Sequence, residues 1–447
     1  MSLYGSLFSG VSGLTAQSRA MGMISDNVAN VNTTGYKGST AQFSNLVTGQ
    51  ARARNYNPGG VRAGTNHTVS SQGLIQGTGS PTDAAISGAG MFVLNGRTDG
   101  TGEQVYSRAG NFAPDYLGFL RTPSGHYLQG WALDASGEVV DVNSLTTVST
   151  RNLSGIAVAT TSVRFGANLN ADAAAVPVTY AAGDMAAYAA SGGTSGVEPH
   201  YQHEVKVYDS QGRPHDVTVA FVGAGSPDTW RMEVYADPAQ LDTATHPNGL
   251  IASATVTFDG RGELADVDLT PVSPGETAEE VGIVWASNFG VAPSSIELDL
   301  GTPGESTGGL SQFAAPTNLT EATQNGAPVG LLSGVSIDES GYVIAAFTNG
   351  EDRRLYRLPI ATFPNPNALE ARSGNIFAQT DQSGDFIMRA PGIGSAGIIT
   401  PSALEAANVD LADEFTRMIV TQRAYSANAR VITTADEMLD ELIRISR

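Results

Sequence analysis

The run Gly392-Ile393-Gly394-Ser395-Ala396-Gly397 spells G-x-G-x-x-G, the spacing of a turn that cradles phosphates. That chemistry needs the turn to open a helix whose N–H groups hold the pyrophosphate. Pro401 follows instead and no βαβ unit surrounds the run, so a tight glycine turn between a strand and the tail is expected. His200 and His203 carry two imidazoles three residues apart, but the stretch reads as a loop entering a strand and offers no third ligand, so no metal site is read there. Glu276, Glu279 and Glu280 are acids of a Pro/Gly loop and read as solvated. The Asn-x-Ser/Thr tripeptides at Asn32, Asn66, Asn152 and Asn318 fall at chance frequency. No nucleophile–base pair can be assembled. The sequence gives an enzyme or a cofactor no residues to stand on.

Composition narrows the classes further. The 447 residues suggest roughly two to four domains and ample capacity for a core. Acids outnumber bases 44 to 24, a formal net charge of −20, and only Lys37 and Lys206 are lysines. A nucleic-acid partner would require a dense basic face, so none is expected. Zero cysteines exclude disulfides, thiolate catalysis and Cys-ligated metal. No apolar run reaches the length of a membrane-spanning helix, and no membrane insertion is expected. The first twenty residues lack a basic stretch followed by an apolar block, so they do not read as an ordinary secretory signal. Glycine (52) and proline (21) are abundant, while charged residues, at 15%, are scarce. That balance suits turn-rich β-structure.

The charge is unevenly placed. Residues 1–75 hold five bases and one acid, residues 401–447 five arginines and eight acids, and residues 165–310 twenty acids against four bases. The ends are nearly complementary in sign, and the acid load lies between them.

The elements that must carry these residues are helical ends around a β-rich interior. Leu7, Val11, Leu14, Met21, Ile24, Val28 and Val31 recur in steps of three and four, mostly, and predict one apolar stripe of a helix that stops at the turn formers Asn30–Gly35. Gly5, Gly10, Gly13 and Gly22 lie inside it, each worth about 1 kcal/mol of lost helix stability relative to Ala. Such a helix needs a partner surface. The carboxyl end predicts a stronger helix from a cap at Asn408 or Asp410, with Asp413 and Glu414 in its first turn and Arg444 and Arg447 in its last. Its apolar rows are Leu411, Phe415, Met418, Ile419, Tyr425, Ile432, Leu439, Ile443 and, alongside, Val431, Ala435, Met438, Leu442, Ile445. Two adjoining rows imply more than one neighbour, as in a bundle. Between the ends, short alternating runs at 91–94, 204–208, 216–221, 254–258 and 341–347 are divided by tight turns such as Asp209–Gly212 and Asp259–Gly262, a pattern of antiparallel β rather than βαβ units. An Ala/Gly/Ser-rich stretch at 171–196 reads as an extended loop opening an insertion, and 301–309 closes it.

The run Ser25-Asp26-Asn27-Val28-Ala29-Asn30-Val31-Asn32-Thr33-Thr34-Gly35-Tyr36-Lys37 resembles the amino-terminal motif of the bacterial flagellar rod, hook and axial proteins. Leu404–Leu411, containing Asn408, resembles the matching carboxyl-terminal motif and continues through Gln422-Arg423-Ala424-Tyr425 to Asn428. Ala84–Val93, Tyr106–Phe112 and Leu355–Phe363 resemble the family's inner β-domain. The insertion, with Asn168-Leu169-Asn170, Val207–Gly212 and Val217–Phe221, resembles the outer domain of the hook branch. Rod subunits share the ends but are much shorter.

The resemblance implies an α+β chain whose long terminal helices form a coiled-coil-like inner tube. It implies a helical tube domain at 1–31 and 408–447, a connecting segment at 32–75 and 391–407, an inner β-domain at 76–164 and 311–390, and an outer β-domain at 165–310. The two helical apolar rows and the motif residues Asn27, Asn30, Asn32, Gly35, Tyr36, Lys37, Asn408, Gln422, Arg423 and Asn428 are the expected assembly surface. The function implied is that of a self-assembling hook subunit, a flexible hollow universal joint between rod and filament. The implied partners are further copies of itself, the rod, the hook cap, the hook–filament junction proteins and the type III export apparatus. A distal rod-type protein is the alternative within the family, and a secreted acidic β-rich adhesin or binding module the alternative outside it.

Charge placement makes a prediction about assembly. Stacked copies bring many acidic middle regions together, and the Debye length shrinks from about 30 Å at 0.01 M salt to about 8 Å at physiological salt. Polymer yield, measured by sedimentation, should rise with ammonium sulfate, which screens the repulsion and strengthens apolar burial. Dissolution of the polymer by added salt would show that charge pairing holds it together instead.

Overall fold

The computed structural model of the chain describes residues 3–46, 59–134, 136–151, 153, 155–174, 179–226, 228–272, 280–305 and 308–445. Among them lie three α-helices, α1 (Leu3–Ala29), α2 (Asp184–Ala190) and α3 (Leu411–Ile445). Between α1 and α3 the regular structure is almost wholly β-strand, giving the α+β class expected. Met1–Asn152, Gly334–Ala346 and Asp352–Arg447 form one compact unit, and Leu153–Ser333 with Phe347–Glu351 the other.

In the first unit α1 and α3 run antiparallel, with Gly10 beside Ile432 at one end and Asn27 beside Glu414 at the other. α1 passes through its glycines and ends just before the turn at Asn30–Gly35, where Gly35 takes a φ of 68°. Asp410 is the cap of α3. Its Oδ1 accepts the Ala412 N–H at 2.7 Å and the Asp413 N–H at 3.3 Å, satisfying donors that the first turn leaves free. Arg444 closes the last turn, and Arg447 lies outside the described residues. The hairpin Ser39–Leu46/Gly60–His67 follows α1. Two short antiparallel pairs then tie the chain's start to its end: Ile75–Gly77 with Ala403–Glu405, and Ala84–Ser87 with Ile398–Pro401. Beyond them lies an antiparallel sheet ordered Tyr342–Phe347, Asp352–Arg357, Tyr127–Ala132, Met91–Asn95, Gln104–Ser107, Ile376–Ala378, Glu370–Arg372. Its core holds Phe92, Leu94, Leu128, Leu358 and Ile360, with the Phe112 ring set edge-on to Phe92 at 5.2 Å.

The second unit is a pair of sheets around one core. Tyr201–Tyr208, Pro214–Gly223, Thr229–Ala236, Leu250–Phe258 and Leu264–Pro271 form an antiparallel meander. The second sheet is ordered Glu280–Ile283, Ser294–Asp299, Ser162–Asn168, Asn318–Gln324. Ser162–Asn168 runs parallel to Ser294–Asp299, an exception to the all-antiparallel pattern expected, because the meander separates the two strands in sequence and leaves either direction open. Strand alternation divides Pro214–Gly223 cleanly. Val217, Val219 and Phe221 enter the core between the sheets, while Ala220 and Val222 face a smaller cluster with Met185 and Ala186 of α2. The Asp209–Gly212 and Asp259–Gly262 turns form as expected, each aspartate accepting two backbone N–H groups across the turn.

The 171–196 stretch departs from expectation: it contains α2 rather than only an extended loop. Alanine favours helix, and the sheet supplies a reason for one to settle here. Buried Glu233 accepts the Tyr180 hydroxyl at 2.6 Å and the Gly183 and Ala186 N–H groups at 2.8 Å each. Burial, then the hydrogen bond to Glu233, pushes the Tyr180 phenol well above its usual range. Residues 175–178, 306–307, Glu276 and Glu279 lie outside the described residues, and Glu280 is exposed.

Phe221 is fully buried and stacks on Phe165 at 5.8 Å. Phe221→Ala should therefore cost the second unit about 3–5 kcal/mol. Urea unfolding followed by Trp230 and Trp285 fluorescence should move to lower denaturant, while hydrogen exchange in the first unit's sheet stays unchanged.

Candidate assembly interface

The buried face of α1 is built from small residues. Gly10, Gly13, Ala16 and Ala20 are buried, followed by Ile24 and Asn27, spaced by three and four. A Cβ on Gly10 would lie 2.9 Å from Ile432 Cγ1, and one on Gly13 2.7 Å from Asn428 Oδ1. These two glycines exist for the close approach of α3, which offsets the propensity they forfeit. Nothing lies near Gly22. α3 meets this face with Glu414, Thr421, Asn428, Ile432 and Ala435.

Polar side chains fix the register of the pair. Asn27 is buried and fully used: its Nδ2 donates to Ser39 O at 2.9 Å and Glu414 Oε1 at 3.3 Å, and its Oδ1 accepts the Ser39 N–H at 3.0 Å and the Tyr36 hydroxyl at 3.2 Å. Burial first, then the charges of Asp26 and Glu414, hold the Tyr36 phenol above its usual range. Asn408 is not the helix cap. It accepts the Gly38 N–H at 2.7 Å and donates to Thr68 O at 3.0 Å and Ser71 O at 3.2 Å, stitching three segments.

Beneath lies a buried ionic clamp. Glu405 is 0% exposed. Its Oε1 takes the Lys37 ammonium and the Gly73 N–H (2.7 Å), its Oε2 the Arg108 Nη1 at 3.3 Å, and its carbonyl the Gly35 N–H at 2.7 Å. The two cations are further held by carbonyl oxygens: Lys37 by Ser71 at 2.6 Å, Arg108 by Ile86 at 3.0 Å and Gly88 at 2.7 Å. Burial pulls both below their usual ranges while Glu405 pulls them back. The clamp joins the amino-terminal motif, the carboxyl-terminal motif and the inner sheet.

The expected apolar stripe is only partly what the chain buries. Ile24 is buried, Leu7, Leu14, Met21, Val28 and Val31 are half-buried, and Val11 is 53% exposed. On α3, Ala435 is buried and Met418, Ile432 and Leu439 half-buried. Leu411, Phe415, Ile419, Tyr425, Val431, Met438, Ile443 and Ile445 are exposed, and the side chain of Leu442 lies outside the description. Within one chain the helices meet through small side chains and leave the large ones outward. Of the motif residues, Asn27, Gly35 and Lys37 are buried, Asn30, Tyr36, Asn408 and Asn428 half-buried, and Asn32, Gln422 and Arg423 exposed. Sequence reasoning missed Arg108, Glu405 and Glu414 as site residues. The Gly10/Gly13/Ala16/Ala20 spacing was the signal available for the helix contact.

The other candidate chemistry disperses. Gly392 and Gly394 take φ of 75° and 65° in a turn that enters the strand Ile398–Pro401, not a helix. His200 accepts the Gly223 N–H on Nδ1, whereas the His203 ring lies against Phe165.

Four family signatures match the chain in order. The flagella basal body rod protein family matches residues 7–37, the hook protein FlgE/F/G D1 domain 85–172, the basal body protein FlaE D2 domain 168–327, and the rod FlgEFG protein C-terminal region 400–445. The flagellar hook protein FlgE of Caulobacter vibrioides is 32% identical over a 596-residue alignment that covers 100% of both chains. FlgE of Rhizobium meliloti is 33% identical, again covering 100% of both. The chain belongs to the flagellar hook protein family. FlgE of Escherichia coli K12 is 30% identical over 97% of this chain and 98% of its own. This hook-family chain is a structural, non-enzymatic protein of the motility apparatus, located in the flagellar hook, and membership implies assembly with flagellar rod components. The rod-type and adhesin alternatives are set aside by these full-length matches.

Glu405→Gln keeps the shape and the Gly73 contact but leaves two buried cations without a counter-charge, at about 3–5 kcal/mol. Hydrogen exchange should rise at 35–37 and 403–408, with the second unit's meander unaffected.

Proposed function

We propose that this chain builds the hook by self-assembly through its outward apolar helix faces into a hollow helical tube, a universal joint that carries motor torque from rod to filament. The observation that carries this reading is the apolar surface left on the paired helices. Tyr4 is 76% exposed, Phe8, Val11 and Ile443 are exposed towards the same end of the pair, and Phe415, Ile419 and Val420 are exposed towards the other. A surface of this kind on a soluble chain marks an interaction site. On this reading Leu7, Val11, Leu14, Met21, Val28 and Val31 of α1, and the exposed rows of α3, become buried between copies. The segments 1–31 and 408–447 line the tube, 32–75 and 391–407 connect, 76–164 and 311–390 surround, and the acidic 165–310 insertion faces solvent. Sliding contacts among outer regions suit polar, charge-rich surfaces better than locked apolar ones. The further partners are the hook cap, the hook–filament junction proteins and the type III export apparatus, which takes chains unfolded and is served by a sequence without cysteines.

Ile419 is 51% exposed, so Ile419→Asp should leave the subunit folded by circular dichroism. Between copies it buries an unpaired charge at several kcal/mol per contact. Electron microscopy should find hooks absent and cells non-motile; normal hooks in this variant would contradict the reading.

A further inference from the structure

The charges of the clamp around Glu405 do not balance. Two buried cations, Lys37 and Arg108, face one carboxylate, and among the described residues neither makes a further ion pair. The carbonyl oxygens of Ser71, Ile86 and Gly88 help to hold them, but these are dipoles and carry no formal charge. One positive charge is therefore left over inside the first unit, where burial makes an unpaired charge costly. Burial outweighs the pull of Glu405 at both cations, which stay below their usual ranges.

Arg108 also carries an unanswered donor. The residue is 3% exposed; its Nη1 serves Ile86 O and Glu405, its Nη2 serves Gly88 O, and its Nε is buried without a hydrogen-bond partner. Buried donors of this kind are normally met by the protein or by an ordered group from solvent. The same side chain forms one wall of a cavity of about 80 Å³, with Val69, Met91 and Phe363 as apolar walls and Ser70 and Thr362 as polar ones. No carboxylate is among the cavity's walls. The space exceeds the roughly 10–15 Å³ that one water needs and falls well short of the roughly 300 Å³ of a pocket for an organic ligand.

A water would answer the N–H but not the charge. We propose that this cavity seats a small monovalent anion, such as chloride, on Arg108 Nε, so that two buried cations face two anions. The site completes the Glu405 clamp and does not depend on how copies of the chain assemble. Bound there, the anion ties the chain ends more firmly to the inner sheet, and that tie responds to which anion is supplied as well as to ionic strength.

The test uses the full wild-type chain at fixed ionic strength, with sodium gluconate, whose anion is too bulky for the cavity, replaced stepwise by sodium chloride. Gly35 and Gly73 both donate their N–H groups to Glu405, so their hydrogen exchange reports openings of the clamp. It should slow saturably, by about tenfold once chloride reaches about ten times its Kd. Exchange in the second unit's meander should not follow. Equal exchange in the two salts, or a change shared by both units, overturns the site. Crystals grown with sodium bromide should show an anomalous peak beside Arg108 Nε, and a water there instead overturns it as well. Arg108→Lys keeps the charge but lacks the Nε–H, so it should lose the chloride effect; a response of wild-type size in this variant removes Arg108 as the seat. Should the variant fold poorly, the wild-type exchange and the bromide peak decide the matter alone.

Discussion

One buried carboxylate organises the first unit. Glu405 receives a lysine from the end of the α1 turn, an arginine from the inner sheet and two backbone N–H groups, so three stretches distant in sequence must meet around it. Such a site is a poor source of net stability, because taking the charges out of water offsets most of their attraction. Its strength is discrimination. Any arrangement that brings two of the three groups together leaves the third charge buried alone, at a penalty of several kcal/mol, so the register of both chain ends against the sheet is fixed. Asn27 and Asn408 extend the same logic with amides, each using donor and acceptor together.

How much of this was legible depended on whether an element's partner lay nearby in sequence. The alternating runs 216–221 and 254–258 formed strands because a pleat imposes its period of two on any half-buried run. A cap at Asp410, one of the two candidates, and the turn formers from Asn30 onward followed from local chemistry, although α1 ends at Ala29, six residues before Gly35. The Lys37–Glu405 and Arg108–Glu405 pairs span 368 and 297 residues, and no local pattern announces such a pairing. α2 was hidden for a related reason: an Ala/Gly/Ser stretch has no periodic apolar face, and its helix is settled by Glu233 on a strand fifty residues away.

The stripe of α1 shows where periodicity misleads. Large apolar residues recur with helical spacing, yet the face that meets α3 is glycine and alanine. Small side chains let two helix backbones come close and gain dispersion contacts along their length, whereas large ones would hold them apart. The consequence is a pair with tight backbone packing and little large-side-chain burial. Each Val, Leu or Phe left outside forgoes about 1.5–3 kcal/mol that full burial would supply. The terminal pair of one chain is thereby left with an unspent driving force directed outward.

That division bears on how a joint could both hold and bend under the proposed assembly. Apolar burial between neighbours has no preferred direction and survives small slides, because one methyl group substitutes for another. Contacts through amides and ion pairs do not, since a shift of an ångström breaks a hydrogen bond. Within the subunit, the directional contacts at Asn27, Asn408 and Glu405 keep the helix pair and inner sheet as one body. The outward surface mixes large apolar side chains such as Phe415, Ile419 and Val431 with exposed polar ones, and its apolar part is non-directional and tolerant of sliding. A first unit held by directional contacts inside and carrying apolar side chains outside can transmit torque through that body while its neighbours shift, and the polar side chains exposed along α3, Gln422, Arg423 and Glu437 among them, are where that permissiveness would end.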